Sequence, residues 1–143
     1  MVEVGGKPVT SREAVAECVI RMEPGACAAL IAGTPKGDPL EAARVAGLMA
    51  AKRTPDLLPF CHPIAITGAE VVVEPEPSTG VIRIRVRANA ADRTGVEMES
   101  LTGAAIAALS LYDTAKAYDR AAVITELRLR SKRGGKSGDY QAG

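Results

Sequence analysis

The segment VIRIRVRA, residues 81–88, constrains the fold of this chain more than any other feature, because arginines alternate with apolar side chains along it. Successive side chains of a strand point to opposite faces of a sheet, so this segment predicts a strand with one apolar and one charged face. Residues 64–74 show a weaker alternation, and the PEPSTG sequence between the two segments is typical of a turn. The sequence therefore predicts an antiparallel hairpin.

Two further strands and two helices are predicted around this hairpin. Residues 14–22 and 123–130 also alternate in polarity, which is typical of half-buried strands. Residues 24–33 begin with proline, contain apolar side chains and close with glycine, which predicts a short helix. Asp38 is the predicted N-cap of a second helix over residues 39–53, whose acidic side chain comes early and whose basic side chains come late.

Thr94 and Glu97 have the spacing of a capping box, and they open the longest predicted helix, which continues to about Asp119. The order β, α, α, β, β, α, β predicts an α+β fold, a ferredoxin-like sandwich with helices packed on one face of an antiparallel sheet. The same order is also compatible with a different mixed sheet. We expect one domain spanning all 143 residues, with an N-terminal arm over 1–12 and a glycine-rich basic tail over 132–143.

Composition argues against several classes of partner. The net charge is +1, and one Phe, three Tyr and no Trp provide no platform for stacking nucleic-acid bases. No apolar segment approaches the ~20 residues that a membrane-spanning helix requires. The three cysteines lack CxxC spacing and the chain begins without a charged-then-apolar leader, so we expect a cytoplasmic protein that binds neither nucleic acid nor membrane.

The segment TPDLLPFCHP, residues 54–63, carries three prolines and the only histidine, His62. Prolines at this density exclude a long helix or a central strand, so a shaped loop is predicted, and loops often position functional groups. An isolated surface histidine explains His62 equally well. Cys61 lies directly before it, and the cysteines do not have metal-ligand spacing, so no metal site is predicted.

The long predicted helix carries three charged side chains of interest. Asp113 and Lys116 share a face, and a solvated ion pair is the simplest explanation, although the preceding small residues indicate a helix covered on more than one side. Glu99 lies on nearly the same face but ~21 Å away along the axis. If these groups serve one site, the helix must pair antiparallel with that of another protomer, at a two-fold interface. Otherwise Glu99 only stabilises the helix dipole.

Basic side chains suited to anions occur in three places. They are Lys36 in the PKGDP segment, Lys52 with Arg53, and the C-terminal cluster Arg128, Arg130, Lys132, Arg133 and Lys136. Strand alternation places Arg128 and Arg130 on one face, although solubilising charge is the default explanation for most of these side chains. The GGKSGD segment is not a Walker site, because its first glycine position is Arg130 and no helix can follow. Lys136 is retained as a candidate phosphate contact.

Five segments together resemble a known family. They are KGD at 36–38, AAKRTPDLLPFCHP at 50–63, TGVEMESLT at 94–102, LYDTAKA at 111–117 and GGKSGD at 134–139. They resemble the successive motifs of molybdenum cofactor biosynthesis protein C, the cyclic pyranopterin monophosphate synthases, over about residues 2–140. Phe60 and Ser100 depart mildly from the usual LCHP and TGVEMEALT forms, and neither change touches a catalytic group.

The resemblance implies a lyase that converts a cyclised dihydroguanosine triphosphate to cyclic pyranopterin monophosphate and diphosphate. It implies a homohexamer, a trimer of dimers, whose site is shared between subunits. Matching the motifs residue by residue gives catalytic Asp113, Lys116 and Lys36, and substrate-binding Phe60, Cys61, His62, Met98 and Glu99.

Ring opening and closure need proton transfers, for which a desolvated lysine is suited, and the triphosphate needs local positive charge. No metal-ligand set is evident; Mg²⁺ accompanying the triphosphate would be ordinary chemistry. Two readings from other classes stay open, namely a non-catalytic nucleotide-binding module and a structural oligomerisation domain.

Overall fold

The computed structural model of the chain describes residues 1–143, and the predicted hairpin forms one edge of its sheet. Strands β2 (Ile66–Glu76) and β3 (Val81–Asp92) pair antiparallel, with Glu76 opposite Val81. The turn needs glycine at Gly80, because its φ is +72° and a Cβ there would lie 1.9 Å from the Met22 carbonyl oxygen. The hairpin prediction is confirmed, and the strands extend further toward Asp92 than the alternation indicates.

Three more strands complete a sheet in the order β2-β3-β1-β4-β5, antiparallel throughout. They are β1 (Thr10–Arg21), β4 (Val123–Arg133) and β5 (Tyr140–Gln141). The first four strands have the order of a ferredoxin-like sheet, which confirms the predicted fold class. Strand β1 begins at Thr10, inside the expected arm, because β3 pairs with it from Asp92 onward.

The helices are α1 (Pro24–Ile31), α2 (Pro39–Lys52), the single turn α3 (Thr54–Leu57) and α4 (Glu97–Ala115). The predicted N-cap of α2 is confirmed, since Asp38 Oδ1 accepts hydrogen bonds from the backbone nitrogens of Leu40, at 2.9 Å, and Glu41, at 3.3 Å.

The predicted capping box of α4 is wrong. Helix α4 begins at Glu97 after Val96, with no side-chain cap, and Glu97 Oε1 lies 3.5 Å from Lys132 Nζ instead. The helix also ends at Ala115, before the expected Asp119. Asp119 accepts hydrogen bonds from the backbone nitrogens of Glu23, at 2.9 Å, and Ala121, at 2.8 Å. The bond to Ala121 is local and favours a turn over a further helical turn.

Helices α2 and α4 cover one face of the sheet, and small residues set how closely they approach. A Cβ added at Gly47 of α2 would lie 3.1 Å from the Gly103 carbonyl oxygen of α4. Ala104, Ala107 and Ala108 of α4 are fully buried and share one face, which packs against α2 and the sheet, whereas Leu109 outside that face is 52% exposed. No helix has both the length and the apolarity that crossing a membrane requires. This packing holds α4 against α2 and the sheet, and the candidate side chains are spaced along it.

Arg128 and Arg130 both line a cleft of about 280 Å³ that also contains Glu17 and Glu74, which confirms that they share a side of the sheet. Arg130 Nε lies 3.3 Å from Glu17 Oε2. Arg130 is therefore paired within the sheet, and neither arginine lines the loop or basic cavities of the candidate site.

Candidate active site

The loop after α3 and the start of α4 form a cavity of about 480 Å³, here called the loop cavity. It is lined by Leu58, Pro59, Phe60, Cys61, His62, Thr94, Gly95, Glu97 and Met98. The structure thus brings together four side chains that the motifs selected from two separate segments. Phe60 and Met98 are largely exposed at its edge, whereas Cys61 and His62 are half-buried. The cavity offers an apolar edge for a ring and an imidazole beside it.

Glu99 lies behind the loop cavity and is only 1% exposed. Its Oε1 accepts a 3.8 Å hydrogen bond from the Cys61 thiol, and its Oε2 has no partner. Burial raises the pKa of the Glu99 carboxyl, and the nearby carboxylates Glu97 and Asp92 raise it further. Burial likewise raises the pKa of the Cys61 thiol, with the Glu99 charge adding to the effect. Burial therefore shifts both the Glu99 carboxyl and the Cys61 thiol toward their neutral forms.

A second concavity of about 840 Å³, the basic cavity, adjoins the first and shares Thr94, Gly95 and Glu97 with it. Its only apolar side chain is the ring of Pro8, and five of its members are cationic: Lys7, Arg12, Arg93, Lys132 and Lys136. Glu97 is the only carboxylate among them. Although the whole chain has a net charge of only +1, this cavity concentrates positive charge in one place. It is suited to a ligand carrying several negative charges.

The C-terminal GGKSGD loop folds back to place Lys136 in the basic cavity. Asp139 Oδ1 accepts a 3.1 Å hydrogen bond from the Gly134 backbone nitrogen, which closes the loop. The Lys132 ammonium donates to the Ser137 hydroxyl, which ties the loop to β4. The candidate phosphate contact Lys136 therefore lies among other cations, without the helix that a Walker loop would require.

The other candidate cluster lies at the C-terminal end of α4. Asp113 Oδ1 is 2.7 Å from Lys116 Nζ, and Asp113 Oδ2 is 3.3 Å from Lys36 Nζ. Lys36 is held by a tight turn, in which its backbone nitrogen donates to the Thr34 hydroxyl at 3.2 Å. The three charged side chains are 57%, 54% and 68% exposed for Asp113, Lys116 and Lys36. The resemblance names these residues together, and the structure brings them into contact.

Ion pairing shifts the pKa values of Asp113 and Lys116. The Lys116 ammonium, and then Lys36, lower the pKa of the Asp113 carboxyl. The hydrogen bond to Asp113 raises the pKa of Lys116, because the carboxylate stabilises the ammonium and nothing covers it. Within one chain, the pKa of Lys116 is therefore raised, whereas the desolvated lysine expected from the sequence would have a lowered pKa.

Comparison with known proteins gives one consistent result. The model of the MoaC family matches residues 1–135. A cyclic pyranopterin monophosphate synthase of Herpetosiphon aurantiacus is 49% identical over 142 residues, covering 99% of this chain and 87% of that protein. One from Parvibaculum lavamentivorans is 51% identical over 144 residues, covering 99% and 89%.

The chain belongs to the MoaC family. The resemblance stated from the motifs is confirmed. The relatives bear the name of a synthase, which confirms the prediction of an enzyme, a lyase.

For this MoaC family chain, sequence reasoning missed part of the basic cavity. Lys7 and Arg12 fell in the segment expected to be an arm, and Arg93 carried no motif signal. Arg12 and Lys132 line the same cavity because β1 pairs with β4, with Ala14 opposite Lys132. Lys52 and Arg53 line neither cavity. No group of three or more His, Cys, Asp or Glu side chains is arranged to hold a metal ion.

Proposed function

We propose that this protein is a cyclic pyranopterin monophosphate synthase of molybdenum cofactor biosynthesis. It converts a cyclised dihydroguanosine triphosphate to cyclic pyranopterin monophosphate and releases diphosphate. The observation that carries the proposal is the junction of the loop cavity and the basic cavity at Thr94, Gly95 and Glu97. A partly apolar cavity joined to a cationic one matches a substrate in which a heterocyclic ring carries a triphosphate. The names of the relatives support the same assignment.

In this proposal the ring lies in the loop cavity, beside Phe60, His62 and Met98. The triphosphate lies in the basic cavity, where Lys136 and its cationic neighbours contact it. Loss of diphosphate leaves additional negative charge on the departing group, and fixed cations stabilise that charge as it develops. The five cations of the basic cavity therefore serve both binding and departure of the diphosphate.

Asp113, Lys116 and Lys36 supply acid–base catalysis in the proposal, yet they lie at the far end of α4. Fourteen residues separate Asp113 from Glu99, which corresponds to ~21 Å of helix. A single substrate cannot contact both ends within one chain, so a second protomer brings its C-terminal cluster to the first protomer's cavities. Leu109, which is 52% exposed on α4 between the two ends, is an apolar side chain that such an interface would cover.

The assembly proposed is a homohexamer built as a trimer of dimers, with the site at the dimer interface. Covering the C-terminal cluster would remove water from Lys116. Desolvation lowers the pKa of a lysine, which would move it toward the neutral range that proton transfer needs. The expected cytoplasmic location stays a prediction.

The test is incubation of the purified protein with the cyclised nucleotide, followed by detection of the pterin by mass spectrometry and of diphosphate by an enzymatic assay. We expect both products in equal amounts. Lys136→Ala should raise KM about tenfold, since a charge-assisted phosphate contact is lost. Lys52→Ala, an exposed lysine outside both cavities, is the matched control and should leave KM unchanged. Nucleotide binding by the wild type without any product would instead support the binding-module alternative.

A further inference from the structure

A glycine of the C-terminal loop lies directly against an arginine of the basic cavity. A Cβ added at Gly135 would lie 1.7 Å from Arg12 Nη1 and 2.9 Å from Arg12 Cζ. Arg12 is half-buried in β1, and its Nε donates a 3.2 Å hydrogen bond to the Asp92 carbonyl oxygen. The guanidinium is therefore confined between that carbonyl and the Gly135 backbone. Any side chain at position 135 would have to displace it.

The same loop links Arg12 to Lys136. Gly134 and Gly135 both have φ of +87°, a conformation that favours glycine, and a Cβ at Gly134 would lie 2.1 Å from the Ser11 carbonyl oxygen. Gly135 directly precedes Lys136, and both residues line the basic cavity with Arg12. A shift of the loop that relieved a clash at position 135 would therefore move Lys136 as well as Arg12.

We propose that Gly135 is a positioning residue that fixes the Arg12 guanidinium in the basic cavity, so that Arg12 and Lys136 together bind the triphosphate. This rests on the proposed function only in its assignment of the triphosphate to the basic cavity. Gly135 acts through Arg12. Because Gly135 has no side chain, the loop backbone can lie directly against the Arg12 guanidinium and restrict its movement by contact alone. Guanidinium groups fixed in place lose less freedom on binding phosphate than free ones do.

The chain contains a matched control for this role. Gly138 lies in the same loop with φ of +74°, but no atom lies within 4 Å of a Cβ built there. Gly138→Ala therefore imposes a strained backbone conformation without displacing Arg12. Gly135→Ala imposes both the strain and the displacement. The difference between the two variants isolates the effect on Arg12 from the general effect of replacing a loop glycine.

The experiment measures binding of inorganic triphosphate by calorimetry, together with kcat and KM for pterin formation, in Gly135→Ala, Gly138→Ala, Arg12→Ala and the double variant Arg12→Ala/Gly135→Ala. We expect Gly135→Ala to weaken triphosphate binding and raise KM about tenfold, the scale of one charge-assisted contact, with kcat little changed. Gly138→Ala should stay within about twofold of the wild type. In the Arg12→Ala background, Gly135→Ala should add less than about twofold, because the group it displaces is gone.

Two outcomes overturn the positioning role. One is an equal effect of Gly135→Ala and Gly138→Ala; the other is a full additional effect of Gly135→Ala when Arg12 is already alanine. Thermal unfolding accompanies each measurement. Should Gly135→Ala unfold, the double variant removes the clash but keeps the backbone strain, so it should regain the stability of Gly138→Ala; a double variant no more stable than Gly135→Ala would also overturn the proposal.

The two proposals fail separately. A wild type that binds triphosphate in a Gly135-dependent way but forms no pterin contradicts the proposed function and leaves the positioning role intact. A wild type that forms pterin, with an unchanged KM in Gly135→Ala, contradicts the positioning role alone.

Discussion

The two ends of α4 hold carboxylates in opposite environments. Glu99 at the N-terminal end is 1% exposed, one of its oxygens has no partner, and burial raises its pKa. Asp113 at the C-terminal end is 57% exposed and lies within 3.3 Å of two ammonium groups, which lower its pKa. The pKa of the carboxyl is therefore shifted up at one end of the helix and down at the other.

The difference also shows which end is complete within one chain. The N-terminal end has its loop, its cavity and its buried carboxyl from this chain alone. The C-terminal cluster has its charges in contact with one another but nothing over them. A charged group in contact with water is weakly perturbed and poorly placed for proton transfer, whereas the same group under a protein surface is perturbed strongly. The following experiments test whether this contrast separates two halves of one site.

The largest effect is expected from Lys116→Ala. Loss of a general acid or base lowers kcat by ~10²–10⁴-fold, while triphosphate binding, assigned to the other end, should persist. The measurement is steady-state pterin formation together with calorimetric binding of inorganic triphosphate, with Lys52→Ala as the control. Turnover by Lys116→Ala at the wild-type rate would remove the catalytic role from the C-terminal end of α4.

Mixing of two inactive variants tests whether the ends come from different chains. Lys116→Ala disables the C-terminal cluster and His62→Ala disables the loop cavity, so each homo-oligomer should be inactive. Unfolding and refolding the two together at equal concentration should recover ~a quarter of wild-type activity, because half the dimers are mixed and each mixed dimer has one intact site. If both ends served one site within the same chain, the mixture would stay inactive.

Glu99→Gln tests, through the pH dependence of the free energy of unfolding, whether burial raises the pKa of Glu99. The pKa of Glu99 is raised above its ordinary value of about 4.5 by burial. At a pH between the ordinary pKa, which applies to the unfolded chain, and the raised pKa of the folded chain, the folded chain holds a proton that the unfolded chain has lost. The free energy of unfolding therefore falls as pH rises through this window. Glu99→Gln cannot titrate and should lose that decline, which makes it more stable relative to wild type at neutral pH than at acidic pH.

Denaturant unfolding at a series of pH values measures this difference. Glu70→Gln, at an exposed position of β2, is the control and should follow the wild-type curve. Parallel curves for wild type and Glu99→Gln across the window would mean that Glu99 is ionised in the folded protein, and the contrast between the two ends would disappear.

The smallest effect concerns the thiol above Glu99. Burial and the Glu99 carboxylate raise the pKa of Cys61, so its thiolate fraction at mildly alkaline pH is low. Glu99→Gln should increase the rate at which a thiol reagent labels Cys61 several-fold, in proportion to the increase in the thiolate fraction of Cys61. Cys18 and Cys27 are buried and serve as internal controls that label only on unfolding. An unchanged rate would mean that the Glu99 charge does not reach the thiol.

Where a structural feature depends on a few neighbouring residues, it could be predicted. The alternation at 81–88 predicted β3 and its hairpin, and Asp38 before Pro39 predicted the cap of α2. The capping box at Thr94 failed although its spacing is correct, because Glu97 pairs with Lys132 of β4, 35 positions along the chain. The local capping motif does not form because Glu97 instead pairs with a lysine that is distant in sequence and that only folding of the sheet brings close.

The sequence by itself determined the family, the order of all helices and strands except α3 and β5, and the candidate side chains, because motifs and hydrophobic periodicity are properties of short segments. Only the tertiary structure decided that Lys7, Arg12, Arg93 and Lys132 share one cavity and that Arg12 lies against Gly135. It also decided that Glu99 is buried while Asp113 is exposed. The physical reason is that burial and electrostatic potential depend on which distant segments meet, and the pairing of β1 between β3 and β4 fixes that meeting.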